Sequence, residues 1–377
     1  MLIINSEYPP LGGGAGNASA NLARTLVEQG QQVAVMTVQF SGLPREEIQN
    51  GVLVRRIRAL RKNMDRSGPA EQLSFILSGG LHALPFVRSW KPDAIIAFFG
   101  MPSGAITWLT RWIFGVPYIV SLRGGDVPGF RPYDFGTYHR LIGPFLRRIW
   151  RRAGAVVANS GGLLDLGVAF DPQMPIEIIP NGVDVDHFAP VERTWNPGRM
   201  LFVGRIVYQK GLDVLFQALG GLLDLEWQLT LVGDGNQRPH LEAQARALGM
   251  LDRIHFTGWL TGEAVVEQYQ RANLYVAPSR HEGMPNVVLE AMASGLPVIA
   301  SQIAGNEELV TPGFNGMLVP SGDAAALQSS LREMLTSPER QQSMGAASRQ
   351  RVVASYTWDV TAQQYLEILK NLEAGKK

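Results

Sequence analysis

The chain reads as an α/β protein of two Rossmann-like domains facing across a crevice. Three observations predict this class. A length of 377 residues suits two or three domains, and a hydrophobic fraction of 46% is ample for real cores. Short apolar runs of strand length alternate with amphipathic helical stretches over nearly the whole chain, the pattern of parallel sheets covered by helices on both faces.

The elements follow in order. Strands are expected at Leu2–Asn5, Val33–Val38, Val52–Arg55, Ala94–Phe98, Tyr118–Leu122, Val156–Asn159 and Ile176–Ile179. These make an N-terminal domain over 1–180. Pro180-Asn181-Gly182 opens a turn-rich linker expected over 181–198, ending at Pro197-Gly198. A second series at Met200–Val203, Gln228–Val232, Ile254–Thr257, Leu274–Ala277, Pro297–Ala300 and Gly316–Val319 makes a C-terminal domain over 199–355. The last segment, 356–377, holds a helix near Val360–Leu372 that would pack on either domain. Ala94–Thr110 is uncharged, but Pro102, two glycines and the following Arg111 favour a strand, loop and helix over a membrane span.

Composition excludes several chemistries. With no cysteine there is no disulfide, thiolate zinc site, iron–sulfur cluster or cysteine nucleophile. The first residues, Met1 to Asn5, lack a basic leader and meet Pro9-Pro10 early, so no secretory peptide is read and a cytoplasmic location is expected. Net charge is +1, yet residues 1–180 carry +6 (18 basic, 12 acidic) and residues 181–377 carry −5 (16 basic, 21 acidic). The basic excess concentrates in Arg55, Arg56, Arg58, Arg61, Lys62 and Arg66 and in the run Arg147 to Arg152. Such clusters suit an anionic surface or substrate, or simply a solvated face.

Gly12-Gly13-Gly14-Ala15-Gly16 lies between the first strand and a helix carrying Leu22, Ala23, Leu26 and Val27. Its backbone N–H groups would meet a phosphate at the helix N-terminus, or its glycines would merely allow a tight turn. The nicotinamide fingerprint fails, because Asn17 takes its sixth place and Val33–Phe40 has no acid.

The richest stretch runs from Pro278 to Gly295. Pro285 suits a helix start and Gly295 the place after its end, which puts Glu282 in the loop before the helix and Glu290 inside it. Glu290 has almost only apolar helix neighbours. A buried carboxylate needs a partner, which either a ligand's vicinal hydroxyls or an internal group would supply. The helix-start N–H groups around Gly283, Met284 and Asn286 would suit an anionic or polyhydroxy ligand. His281-Glu282 starts like a zinc-helix motif, but Pro285 stands where the second histidine is needed, so no metal is expected there. Arg205 at a strand end and Lys210 at a helix start would converge on a diphosphate, or stand as surface charges.

Together, the Glu282-to-Glu290 spacing, Gly204-Arg205 with Lys210-Gly211, the segment Pro180-Asn181-Gly182-Val183-Asp184 and the glycine loop resemble the retaining, GT-B-fold glycosyltransferases of family four. The resemblance covers nearly the full chain and is strongest from Val156 to Val319. It implies that Glu290 holds the ribose hydroxyls of a nucleotide sugar. Glu282 with the backbone from Gly283, Met284, Pro285, Asn286 and Val287 would contact the donor hexose. Arg205 and Lys210 would neutralise the leaving diphosphate, and Gly12, Gly13 and Gly14 would approach diphosphate and acceptor. Base recognition is implied near Trp259 and Leu260. No cofactor or metal is implied, since Arg, Lys and a helix N-terminus supply the positive field a metal would give.

One departure stands out. Arg123 occupies a place where many family members carry histidine, leaving Asp126 as the nearest titratable candidate. Either no protein base is needed, because the leaving diphosphate takes the acceptor proton, or Arg123 binds an acidic acceptor or the phosphates. Asp184-Val185-Asp186 has the letters of a D-x-D metal signature but falls in the linker, where it is read as structural.

Tyr138–Arg152 interleaves Leu141, Ile142, Phe145, Leu146, Ile149 and Trp150 with five arginines, a basic amphipathic helix. Its apolar face enters the core or docks on an anionic membrane. The expected activity is transfer of a hexose from a UDP- or GDP-linked sugar to a hydroxyl acceptor, a glycan or lipid-linked molecule, with retention; nucleic acid is not an expected partner. A sugar-nucleotide epimerase, or a non-catalytic nucleotide-sugar-binding protein, would use the same architecture.

Overall fold

The computed structural model describes all residues except 65–66, 131, 193–197 and 375–377, and describes no side chain at 132–135 or 373–374. The chain divides into two compact units, Met1–Asn181 with Trp358–Lys377, and Gly182–Thr357.

The first unit is an eight-stranded sheet. Its strands are β1 (Leu2–Ile4), β2 (Ala34–Val38), β3 (Glu46–Gln49), β4 (Val52–Ile57), β5 (Ile95–Phe98), β6 (Tyr118–Leu122), β7 (Ala155–Ala158) and β8 (Ile176–Ile178), in the order β3-β4-β2-β1-β5-β6-β7-β8. All pairings are parallel except β3 with β4. The central strands are apolar and fully buried, as a sheet covered on both faces requires. Helices α1 (Gly14–Glu28), α2 (Pro69–Trp90), α3 (Gly104–Phe114), α4 (Pro132–Arg152) and α5 (Gly161–Phe170) connect them. One face packs Phe75, Ile106, Ile149 and Trp150 of α2, α3 and α4. The other packs Leu22 and Leu26 of α1 with residues of the C-terminal helix described below.

β3 is the strand that sequence patterning does not show. Its residues Glu46-Glu47-Ile48-Gln49 include one apolar side chain and alternate exposed with partly exposed, so no apolar run marks it. The Asn50-Gly51 pair that joins it to β4 has φ of 50° and 78°, a two-residue hairpin turn, and that pair was the available signal. The omission matters for charge. Arg56, expected on a basic surface, is buried and paired with Glu47, and Arg55 lies 3.5 Å from Glu46. Arg61 donates to the Asn63 and Met64 carbonyls, and Arg66 lies outside the described residues. The expected second basic surface is therefore partly neutralised by its own hairpin.

The second unit is a six-stranded, all-parallel sheet of β9 (Arg199–Val203), β10 (Gln228–Val232), β11 (Ile254–Gly258), β12 (Leu274–Ala277), β13 (Val298–Gln302) and β14 (Gly316–Pro320), ordered β11-β10-β9-β12-β13-β14. Its helices are α6 (Leu212–Gly220), α7 (Arg238–Ala247), α8 (Glu263–Arg271), α9 (Asn286–Ala293), α10 (Ala304–Glu307), α11 (Ala324–Leu335) and α12 (Pro338–Ser355). The last helix, α13 (Trp358–Ala374), belongs to the first unit, where Tyr365 is buried and its hydroxyl lies 2.7 Å from Ser121 Oγ.

In α4 the apolar face does enter the core through Leu146, Ile149 and Trp150, while Leu141 and Phe145 stay outside. Ala94–Thr110 forms β5, an irregular turn at Phe99–Ser103 and the start of α3. Among the described residues no helix is long and apolar enough to cross a membrane.

Candidate functional site

In an open parallel sheet the chain builds outward from a central strand, first one way and then the other. The loops leaving the two strands at that reversal diverge and leave room for a ligand at their carboxyl ends. In the second unit the reversal falls between β9 and β12. The loop after β9 carries Arg205 and Lys210; the loop after β12 carries Ser279, Arg280 and Glu282. The sequence candidates thus meet here through topology.

Lys210 Nζ donates to Glu282 Oε1 at 2.5 Å, and Ser279 Oγ donates to the same oxygen at 2.7 Å. Both charged side chains are largely buried. Glu282 Oε2 has no partner among the described residues. Arg205 likewise has no side-chain hydrogen bond or ion pair among the described residues, which leaves its guanidinium open to an anion.

The two loops are tied together by groups that sequence reasoning missed. Arg280 forks onto Asp213 with distances of 2.8 and 2.7 Å, donates to Tyr208 O at 2.8 Å, and stacks 4.0 Å over the Tyr208 ring. Gln209 Nε2 donates to His281 O at 2.8 Å. Gly211, with φ of 65°, lies so near the second loop that a Cβ there would stand 2.0 Å from Pro278 O. Partners some seventy residues apart leave no mark in a single sequence, so only the glycine gave a hint.

Glu290 lies in the middle of α9, half-buried. Its Oε2 accepts from the Tyr269 hydroxyl at 2.8 Å, and that hydroxyl also lies 3.2 Å from Val287 O. Its other oxygen has no partner among the described residues. Burial pushes the carboxyl up to about 7, although the Tyr269 hydrogen bond opposes this. Tyr269, in turn, is pushed well above its usual range by burial and by the carboxylate. Tyr269 was not expected; on α8 it is buried together with Val266, three residues earlier, and so looks like ordinary core in sequence.

Met284 and Pro285 are buried, so they offer a ligand backbone and little side chain. Gly283 O is met closely from α10, where a Cβ on Gly305 would stand 2.1 Å away. Trp259 follows β11 and is 58% exposed, while Leu260 packs on the second unit's core. Asp184 Oδ1 accepts from the His187 amide at 3.0 Å, a turn-capping contact.

In the first unit the reversal falls between β1 and β5, and the glycine loop leaves β1 there. Gly12, with φ of 86°, donates to Met64 O at 2.7 Å, and a Cβ would stand 2.6 Å from Glu7 Cβ. Gly12 is therefore required by the turn itself. Gly13 is different: a Cβ there would meet nothing within 4 Å, and Gly14 starts α1.

Arg123 and Asp126 are not placed as an open pair. Arg123 donates to Asn181 Oδ1 and, at 3.2 Å, to the Tyr365 hydroxyl, and lies 4.1 Å over the Phe98 ring. Burial pulls its guanidinium down. Asp126 Oδ1 accepts from the Arg123 and Gly124 amides at 3.0 and 3.1 Å, and Oδ2 from the Gly100 amide at 2.7 Å. Burial raises this carboxyl against those amide bonds. Both groups brace the loops after β5 and β6, and both already have partners within the first unit.

The Glycosyl transferase 4-like domain family matches residues 13–182, and the Glycosyl transferases group 1 family matches residues 187–351. The 2-deoxystreptamine N-acetyl-D-glucosaminyltransferase of Streptomyces fradiae is 30% identical over 92% of this chain and 88% of its own. The chain belongs to the group 1 glycosyl transferases.

The fold neighbours of this glycosyltransferase have the GT-B architecture. Sucrose-phosphate synthase from Thermosynechococcus elongatus superposes with a TM-score of 0.86 at 22% identity, covering 99% of each chain. Anabaena Alr3699/HepE, solved with UDP and glucose, gives 0.79 at 20% identity over 98% of each. In this glycosyltransferase the group 1 match spans β9 to β14, the segment that carries Arg205, Lys210, Glu282 and Glu290.

Proposed function

We propose that this glycosyltransferase moves a hexose from a nucleoside diphosphate sugar to a hydroxyl acceptor with retention, the second unit holding the donor. One observation supports this most: at the reversal of the second sheet the loop after β9 carries an unpartnered Arg205 and a Lys210 bonded to Glu282 of the loop after β12, and α9, which follows that loop, carries Glu290 with an open carboxylate oxygen. Vicinal ribose hydroxyls suit the Glu290 carboxylate. A diphosphate suits Arg205 as a fork and Lys210 as a point charge. That HepE was solved with UDP supports a uridine donor.

Glu282 is assigned to the hexose through Oε2, and Lys210 is shared between Glu282 and the leaving group. Trp259 and Leu260 are assigned to the base, and the backbone of Gly283 to Val287 to sugar and phosphate. In the transfer, the acceptor oxygen bonds to the anomeric carbon as the bond to the phosphate oxygen breaks. The acceptor proton passes to the departing phosphate on the same face, so no protein base is required, which agrees with Asp126 being occupied. Arg205 and Lys210 stabilise the charge that grows on the diphosphate, the service a metal ion gives elsewhere. The acceptor is read as a glycan or lipid-linked hydroxyl.

The test is a thermal-shift panel with UDP, GDP and ADP. A ligand at about a hundred times its Kd adds roughly 2.7 kcal/mol. Selective stabilisation by one of them sets the donor for an acceptor screen, with the product anomer read by NMR. An inverted product would overturn retention, and no stabilisation by any of them would overturn the donor site. Arg205→Ala is expected to weaken the selected nucleotide; unchanged affinity would remove Arg205 from the diphosphate.

A further inference from the structure

The loops after β9 and β12 hold an ion pair that neither loop packing nor anion binding explains. The Lys210 and Glu282 side chains are 13% and 11% exposed, and no other ion pair of the described residues is as buried at both ends. Away from water such a pair is screened little, and each end costs desolvation. Joining the loops does not call for it. The Arg280 fork onto Asp213, the Gln209 bond to His281 O and the close approach at Gly211 already do so. Attracting a diphosphate does not call for it either, because a carboxylate beside a cation cancels the charge that would draw the anion in.

The carboxylate is also held in place. Ser279, itself 2% exposed, donates to Oε1, the same oxygen that Lys210 holds from the other loop. A phosphate oxygen that also takes Lys210 Nζ would stand two hydrogen-bond lengths from Oε1 around that nitrogen, about 4 to 5 Å away. Like charges that close, in a site mostly closed to water, repel strongly.

Donor and product differ in what such a carboxylate senses. In a sugar nucleotide the diphosphate is esterified at both ends and carries about two negative charges, while the hexose offers Glu282 Oε2 a hydroxyl. In the freed nucleoside diphosphate the terminal phosphate is bare, and with a second pKa of about 6 it brings the total to about three at neutral pH. The proton it took from the acceptor passes to water. Glu282 then meets more negative charge and has no hydroxyl in return.

We propose that Glu282 competes with the terminal phosphate for Lys210, so that the site favours a sugar nucleotide over the nucleoside diphosphate it yields and thereby promotes product release. This rests on the donor-site reading above. Arg205, which has no carboxylate partner among the described residues, is the cation left to hold either ligand.

The test is calorimetry of the full chain and of Glu282→Gln with UDP, UMP and UDP-glucose, or the same set for whichever base the thermal-shift panel selects. Glutamine keeps an acceptor for Ser279 and Lys210, so an unchanged melting curve is expected. UDP should bind the variant about tenfold or more tightly. UMP, whose single phosphate stops short of the hexose side, should change little. UDP-glucose should not share the gain, since its hydroxyl loses a charged acceptor. Equal UDP affinity in the two proteins overturns the proposal, as does a gain of the same size for UMP or UDP-glucose, which marks a general effect on the site. Failure of the native chain to bind any of the three overturns the donor-site reading, and the proposal with it; native binding without the selective gain overturns the proposal alone. A second pair does not rely on comparison with the parent. Adding Glu282→Gln to Lys210→Met is expected to recover UDP affinity, because the unpaired carboxylate is then what opposes the phosphate, and no recovery overturns the repulsion on which the competition depends.

Discussion

Glu290 is the residue whose chemistry is most exposed to test. Its carboxyl titrates at about 7 in the folded chain against an ordinary value of 4.5. A raised acid contributes stability that is full below pH 4.5 and is lost as pH rises to about 7. Glu290→Gln, which keeps an acceptor for Tyr269, should therefore match the parent near pH 4.5 and exceed it at pH 8 by up to about 3 kcal/mol. Chemical denaturation at the two pH values checks this; a parent as stable as the variant at pH 8 would contradict it. Ligand binding should run the other way. If the ionised form holds ribose, affinity for a nucleotide sugar rises as pH passes through about 7, and the Gln variant binds weakly with no such rise. A nucleotide sugar is the right probe, because its diphosphate does not titrate there. The sequence foretold a buried acid on this helix. It did not foretell Tyr269, because a tyrosine among apolar helix positions carries no sign of which way its hydroxyl points.

At the scale of elements, the proposed donor site rests on two loops held together by Arg280, Gln209 and the close approach at Gly211. Gly211→Ala would force a left-handed residue and place a methyl group 2.0 Å from Pro278 O, so a loss of about 2 kcal/mol or more is expected. Its melting curve checks this, and a wild-type midpoint would refute the close approach. Arg280→Ala removes the fork onto Asp213, which is partly solvent-exposed, so the stability loss should be modest, about 1 kcal/mol. Nucleotide affinity should fall more than stability does, since Tyr208 to Lys210 lose their anchor. Calorimetry with the selected nucleotide separates the two effects. The strands that build these loops were all legible as apolar runs. Edge strand β3 was not, since its pattern is set by charge pairing with β4 and by an Asn-Gly turn, and the buried Arg56 was misjudged with it.

For the whole molecule, two parallel-sheet units were readable because buried parallel strands leave long, regular apolar runs. The site was readable where one local segment holds its chemistry, as from Pro278 to Gly295. It was unreadable where distant loops meet, as where Asp126 ties the loop after β6 to Gly100 and Arg123 reaches Asn181 and Tyr365. Which unit receives the last helix was also left open by sequence. In the structure α13 supplies Trp358, Tyr365 and Leu369 to the first unit's core. A chain ending at Thr357 should therefore lose the first unit's cooperative transition while the second unit's nucleotide-linked transition persists. Calorimetry with and without the selected nucleotide distinguishes the two, and an unchanged first transition would argue against this role of α13.

That helix also sets an order of events during synthesis. The first unit's strands leave the ribosome before the second unit's, yet their α1-side core stays open until α13 has been translated. Gly182–Thr357 emerges meanwhile as one uninterrupted stretch with every strand it needs. The later-made half is thus the first able to finish folding, and the earlier half waits with an apolar face uncovered, the interval in which chaperone capture or aggregation would act.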